Sequence, residues 1–291
     1  MESNLSSKPS YVFIVGVGRS GTKFLQSILL GHPELHISTE THFLSSALHQ
    51  GFIKTAKKIG DLKDDKNLEL LVDKMFNSEI FGAFWKRKIL KDKDSILRKF
   101  KDSDRSFKSL YRIIIEEDML QHNKTIAGEK TPSHLYHVDT LLEWFPEAKV
   151  IHIIRNPRNV LASEINKNVK PDHPLKKGSF FYNTSLLFYV LINWNNAARL
   201  DKKYRKKYPQ NYLAVKYEDL MHEHKQHVLR ICEFLNMDFK ETMLNPPVRG
   251  SSFADSGSNT SKEKKSGQYK QFNSIINLFL RKKLREYNYL S

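Results

Sequence analysis

The residues best placed to do chemistry gather where the apolar run YVFIVGV, residues 11–17, passes into GRSGTK. Gly16, Gly18 and Gly21 satisfy the dinucleotide pattern G-x-G-x-x-G, and Glu40 stands about where that pattern places an acid for a ribose hydroxyl. The block GVGRSGTK is also one transposition from the triphosphate loop G-x-x-x-x-G-K-[ST], since Thr22 and Lys23 stand in reversed order. Under either pattern a strand, a glycine turn and a helix start offer backbone N–H groups and a positive helix end to an anion. Arg19 and Lys23 add charge to that turn. The loop alone does not choose its anion.

A second cation bears on the choice. The apolar run KVIHIIR, residues 149–155, ends in Arg155, where a metal–nucleotide site would place a carboxylate to support magnesium. A guanidinium fork pairs with phosphate oxygens. An arginine closing a buried strand falls at the carboxyl edge, where α/β sheets bind ligands. The pattern argues for an extra phosphate held without a metal. The histidines supply no convincing metal set. His32 and His36 are spaced i, i+4, but Pro33 lies between them and the sequence shows no third ligand.

The elements that must position these residues are legible as apolar runs and helical periods. Strands are predicted at 11–17, 35–38, 125–129, 149–155 and 212–217, several of them continuously apolar, as in a parallel sheet covered on both faces. Helices are predicted from Thr22 to Leu30, after residues 131–133 through Leu135, Val138, Leu142 and Phe145, from Pro157, over 182–207, and through Val228, Ile231, Cys232 and Leu235. This alternation predicts a doubly wound α/β domain with a mostly parallel sheet. Residues 50–120 break the rhythm with lysine-rich helical patterns and read as a helical insertion after the second strand. Residues 249–270 are polar, basic and rich in glycine and serine, which predicts a mobile loop. One domain over residues 1–291 accommodates all of this.

Composition limits the partners. Lys and Arg number 48 against 32 Asp and Glu, a net charge of +16, which attracts polyanions and phosphorylated or sulfated small molecules. A nucleic-acid binder would gather its basic residues on one face with aromatics for stacking, whereas these lysines are scattered through the insertion and tail. No apolar run reaches the roughly 18 residues of a membrane span. The segment MESNLSSKPS lacks the apolar core of a secretory signal, so a cytoplasmic protein is the default expectation. Cys232 is the single cysteine and falls within an apolar helical pattern, which predicts a buried thiol. Oligomeric state leaves no signal.

The ordered set GRSGTK, GHPELHISTET, GEKTPSHL, FPEAKVIHIIRNPRNVLAS and VKYEDL resembles the sulfotransferases that use 3′-phosphoadenosine 5′-phosphosulfate. The resemblance covers about residues 11–50 and 125–236 and is nearest to the branch of tyrosylprotein sulfotransferases and related bacterial enzymes. It implies a three-layer, P-loop-like α/β sandwich and metal-free transfer of a sulfuryl group to a hydroxyl of a carbohydrate, lipid headgroup or peptide tyrosine. It implies that Arg19, Ser20, Gly21, Thr22 and Lys23 cradle the 5′-phosphosulfate, with Arg19 also among the catalytic groups. Arg155 and Ser163 would bind the 3′-phosphate, with Arg158 a weaker candidate, and Tyr217 would approach the adenine. Glu40 would be the base, with His42 in reserve. Lys130 would offset charge on the leaving phosphate, and Glu129 would orient that lysine or simply end a strand. Residues 50–120 would cap the acceptor side. The loop at 249–270 would close over the cofactor, with Ser252, Lys264, Lys265 and Gly267 as possible contacts. Two positions depart from the pattern: a proline is common where Gly18 stands, and a hydroxyl where Lys23 stands. The competing readings are a P-loop kinase or nucleotidase, which predicts magnesium-dependent ATP binding, and a non-catalytic nucleic-acid binder.

Overall fold

The computed structural model describes residues 10–44, 52–77, 92–166, 178–245 and 270–290. Strands β1 (Tyr11–Gly16), β2 (Leu35–Ser38), β3 (Ile126–Lys130), β4 (Lys149–Ile154) and β5 (Tyr212–Lys216) form one sheet in the order β2-β3-β1-β4-β5. Every pairing in it is parallel. The continuous apolar runs follow from burial on both faces. In β1, Val12 and Ile14 enter one core while Phe13 and Val15 enter the other.

In chain order the helices are α1 (Thr22–Leu30), α2 (Phe52–Ala56), α3 (Asp65–Asn77), α4 (Lys93–Lys101), α5 (Phe107–Gln121), α6 (Val138–Trp144), α7 (Pro157–Ile165), α8 (Phe180–Lys207), α9 (Tyr217–His222), α10 (His224–Leu235) and α11 (Lys270–Glu286). The described residues between β2 and β3 hold the four helices α2 to α5. The last of these, α5, packs on both strands and so serves as their crossover, while α3 and α4 pack onto it in series. The helix expected after residues 131–133 begins as a 3₁₀ turn, Pro132–His137, before α6. Pro132 offers no N–H there, and the turn carries His134 fully inside. The predicted loop at 249–270, with Ser252, Lys264, Lys265 and Gly267, lies outside the described residues but for Lys270, which opens α11.

Topology sets the place of the site. The chain leaves β1 toward β2 on one side of the sheet and leaves β4 toward β5 on the other. The carboxyl ends of β1 and β4 therefore flank a switch point, where open parallel sheets bind ligands.

Candidate functional site

The loop after β1 is held by the Ser20 amide, which donates to the Val17 carbonyl at 3.1 Å. Arg19 (φ 64°) and Gly21 (φ 104°) both take left-handed backbone, a conformation that costs a residue with a Cβ about 1–2 kcal/mol. Glycine is required at position 21 on a second count, because an added Cβ would fall 2.3 Å from Cδ2 of Tyr217. Helix α1 starts without a side-chain cap, leaving its first-turn amides for another acceptor. The Ser20 hydroxyl is buried and has no hydrogen-bond partner among the described residues. Thr22 is buried and Lys23 is exposed.

At the end of β4, the Arg155 guanidinium lies 4.4 Å over the Tyr217 ring, and its Nη1 donates to the Arg19 carbonyl at 3.1 Å. Its Nε is buried without a partner among the described residues. Arg19 Nε donates to Ser163 Oγ at 3.0 Å, so Arg19, Arg155, Ser163 and Tyr217 come together as a single group. Ser163 reaches this group because Asn156 and Pro157 start α7 directly after the strand, with Asn156 Oδ1 capping the Arg158 amide at 3.0 Å. Arg158 points elsewhere. Its guanidinium donates to the Tyr289 carbonyl at 3.0 Å and to Asn277 Oδ1. Tyr217 packs under Arg155 and against the loop glycine.

At the end of β3, the Lys130 side chain is fully buried and its ammonium is hydrogen-bonded to Glu40. Glu40 also lies 3.4 Å from His42 Nε2. Burial pushes the Glu40 carboxyl up, but His42 and Lys130 outweigh it and hold the group down to about 2. Burial pushes the Lys130 ammonium below its ordinary value, with Glu40 opposing that shift and the Lys23 charge adding to it. Glu129 does not bond Lys130. Its carboxylate accepts from the Thr41 amide at 2.9 Å, from Thr41 Oγ1 at 3.1 Å, from Tyr111 at 3.2 Å and from Thr131. His134 Nδ1 lies 3.1 Å from the same carboxylate, and His134 Nε2 accepts from the Leu44 amide at 3.2 Å. Glu129 and His134 thus fix the segment that carries Glu40 and His42. Sequence reasoning passed over Thr41 and His134. The available signal was an acid inside a strand, since a buried carboxylate must find several donors.

Because β1 lies between β3 and β4, the Glu40–Lys130 pair and the Arg155 group stand on opposite flanks of the glycine loop, their strands about 10 Å apart. Neither flanking strand ends in the aspartate of a magnesium–nucleotide site.

Two histidines singled out by their spacing have partners of their own. His32 Nδ1 accepts from the Glu34 amide at 3.2 Å. His36 has the partner that spacing could not reveal: Asp118 of α5 lies 2.9 Å from its Nε2 and also accepts from Ser38 Oγ at 2.5 Å. His122 joins them, its ring stacked on His36 at 3.9 Å and 15°. The ligand atoms of the three side chains lie within 4.8 Å of one another. The bonds from His36 and Ser38 to Asp118 tie β2 to α5. Cys232 is buried, which pushes its thiol up to about 11. Among the described residues no helix is long and apolar enough to cross a membrane.

Comparison with known proteins agrees with this architecture. The chain is 24% identical over 243 residues to a Caenorhabditis briggsae protein named for protein-tyrosine sulfotransferase activity, a match covering 83% of this chain and 70% of the relative. The sulfotransferase domain of the Synechococcus PCC 7002 olefin synthase superposes with a TM-score of 0.53 at 20% identity, covering 84% of this chain and 79% of that one. A mouse sulfotransferase complexed with PAP gives 0.51 at 15% identity, covering 96% and 85%. These likenesses establish the P-loop-like α/β fold. The model of the sulfotransferase family matches residues 9–241, and the chain belongs to that family.

Proposed function

We propose that this protein transfers a sulfuryl group from 3′-phosphoadenosine 5′-phosphosulfate to a hydroxyl acceptor, with Glu40 as base. The observation that carries this reading is the pair of separate anion-seeking groups around one loop. A donor with phosphates at both its 3′ and 5′ positions needs two such groups, whereas a simple triphosphate needs one. The chain's own vacancies in bonding fit that donor: Ser20 Oγ and Arg155 Nε are buried polar atoms without partners among the described residues, and the first amides of α1 lack a side-chain cap. The mouse relative complexed with PAP supports the same choice.

Arg155 and Ser163 would hold the 3′-phosphate, and Arg19, which the resemblance assigns to the 5′ end and to catalysis, would join them through its bond to Ser163. Ser20, Gly21, Thr22 and Lys23 would hold the 5′ end through backbone amides, hydroxyls and the Lys23 charge. Bound there, the donor supplies the sulfuryl group and a bisphosphate leaving group. Glu40 has to accept the acceptor's proton, and while paired with Lys130 it is a weak base at about 2. Drawing Lys130 toward an added anion would remove that partner, and burial would then raise the carboxyl toward the range of a useful base. The same movement would place the ammonium where negative charge develops. Lys130 thus serves both halves of the reaction.

The helical region between β2 and β3 follows Glu40 in the chain and would form the acceptor side. A tyrosine hydroxyl in an acidic peptide is the first acceptor to test, given the net charge of +16 and the Caenorhabditis briggsae relative.

The decisive experiment is equilibrium binding of adenosine 3′,5′-bisphosphate and of ATP, each with and without magnesium. Metal-independent binding of the bisphosphate, weakened at least tenfold by Arg155→Ala, is expected. Magnesium-dependent ATP binding with no bisphosphate binding would overturn the proposal in favour of a P-loop kinase.

A further inference from the structure

The peptide unit that follows Arg155 is gripped at both ends. Its carbonyl oxygen, that of Arg155, accepts from Trp194 Nε1 of α8 at 2.9 Å. Its N–H, that of Asn156, donates to Glu218 Oε1 of α9 at 2.9 Å. Both grips meet a single side chain from the segment after α11. The Tyr289 hydroxyl donates to the second oxygen of Glu218 at 2.8 Å, and the Tyr289 ring stands edge-on to Trp194 at 6.4 Å and 61°. The Tyr289 backbone is tied to the same helix start, because its carbonyl accepts from Arg158 at 3.0 Å.

This is more organisation than a helix start needs. Asn156 already caps α7 and Pro157 already fixes its first turn. What the extra bonds set is the rotation of the one peptide plane between Arg155 and α7, and that rotation decides where the guanidinium and Ser163 stand relative to one another. Burial and the Glu218 carboxylate keep the Tyr289 phenol protonated well above the ordinary tyrosine range, so it stays a donor across the working pH range.

We propose that Tyr289 is a positioning residue for the 3′-phosphate site, acting through Glu218 and Trp194 on the Arg155–Asn156 peptide. The inference rests on the reading of Arg155 as a 3′-phosphate ligand. It assigns the segment after α11 a part in recognising the donor, and it accounts for Arg158, which the sequence placed among the phosphate ligands and the structure gives to this segment.

The test uses Tyr289→Phe, which removes only the hydroxyl and leaves the Glu218 charge and the aromatic packing in place. Binding of adenosine 3′,5′-bisphosphate and of adenosine 5′-monophosphate is measured for the intact protein, Tyr289→Phe, Arg155→Ala and the double variant. The bisphosphate is expected to weaken about three- to tenfold in Tyr289→Phe, while the monophosphate, which has no 3′-phosphate, stays within twofold. In the Arg155→Ala background the same change should have no further effect. Equal weakening of both nucleotides would mean general loosening and overturn the proposal, as would full additivity with Arg155→Ala. Unchanged binding in Tyr289→Phe would overturn it too. Failure of the intact protein to prefer the bisphosphate would instead overturn the underlying assignment of Arg155. Glu218→Gln gives a second variant, since a Gln amide can still accept from Asn156 and meet the phenol oxygen. It should keep the preference for the bisphosphate, and losing that preference would count against the bridge.

Discussion

At the end of β3 a fully buried ammonium, Lys130, is matched by the carboxylate of Glu40. At the end of β4 a partly buried guanidinium, Arg155, stacks on Tyr217, touches a carbonyl, and has no carboxylate partner among the described residues. The two lie at the same sheet edge, on either side of one loop. Under the proposed function the difference separates holding from reacting. An uncompensated cation attracts a phosphate and keeps it, whereas a compensated pair waits for a third charge to divide it. The surrounding structure follows the same division: Glu129 and His134 brace the reacting corner from below, and Tyr289 and Glu218 brace the holding corner from behind.

The largest expected break is Glu40→Gln. It removes the base without changing the side chain's size, so kcat should fall about 10²- to 10⁴-fold. Affinity for adenosine 3′,5′-bisphosphate should change little, because Glu40 belongs to the other corner. Steady-state sulfuryl transfer and equilibrium binding check the two halves. If most turnover survives, Glu40 leaves the mechanism and His42 takes its place as candidate.

Next comes Lys130→Met, with an expected loss of about 10²- to 10³-fold in kcat. It also has a pH signature. In the intact protein Glu40 sits near 2, below its ordinary 4.5, so kcat/KM should show no acid limb from this group above about pH 4. Without Lys130 the burial of Glu40 is opposed by His42 alone, and an acid limb should move up into the measurable range. Stability follows the same sign. A depressed carboxyl contributes stability that is complete above about 4.5 and lost as pH falls toward 2, at most about 3 kcal/mol here. The cost of burying Lys130 offsets part of that gain. Chemical denaturation between pH 6 and pH 2 should show a smaller acid loss in Lys130→Met than in the intact protein.

The opposite corner is probed by Arg155→Lys. A lysine keeps the charge but loses the fork and the stack on Tyr217, so bisphosphate affinity should fall about tenfold. The kcat at saturating donor should stay within about threefold, since the reacting corner is untouched. A collapse in kcat with unchanged affinity would reverse the division between the two corners.

Legibility also differed between the corners. Arg155 could be read because it closes a continuous apolar strand, and Ser163 came with the resemblance, eight positions on, where strand, proline and helix follow one another without a break. Strands β1 and β4 were legible for a related reason: a parallel strand buried on both faces has no polar alternation to hide it. The bracing of Glu40 was not legible. Thr41, Tyr111 and His134 come from a loop, from α5 and from the 3₁₀ turn, and no local spacing brings them to the Glu129 carboxylate. Asp118 escaped notice beside His36 on the same account, since a partner on a crossover helix has no fixed offset. Tyr289 lay still farther from any motif. Its role depends on how α11 packs on α7 and α8, which is settled by packing rather than by pattern.

The smallest expected effect is the most local. Ser163 Oγ accepts from Arg19 Nε at 3.0 Å, and Arg19 is exposed with left-handed backbone. Ser163→Ala removes that acceptor and one hydroxyl donor for an incoming phosphate, while the Arg155 stack remains. Solvent screening at this exposure holds a charge-assisted hydrogen bond to about 0.5–1.5 kcal/mol, so bisphosphate affinity should fall about two- to tenfold. The loss should depend on the 3′-phosphate: adenosine 5′-monophosphate, measured side by side, should bind both proteins alike. If the monophosphate weakens equally, Ser163 orders the glycine loop through Arg19 instead of touching the nucleotide. The holding corner would then extend across the loop into the 5′ site, and the division between the two corners would lie at Lys23, whose charge already reaches Lys130.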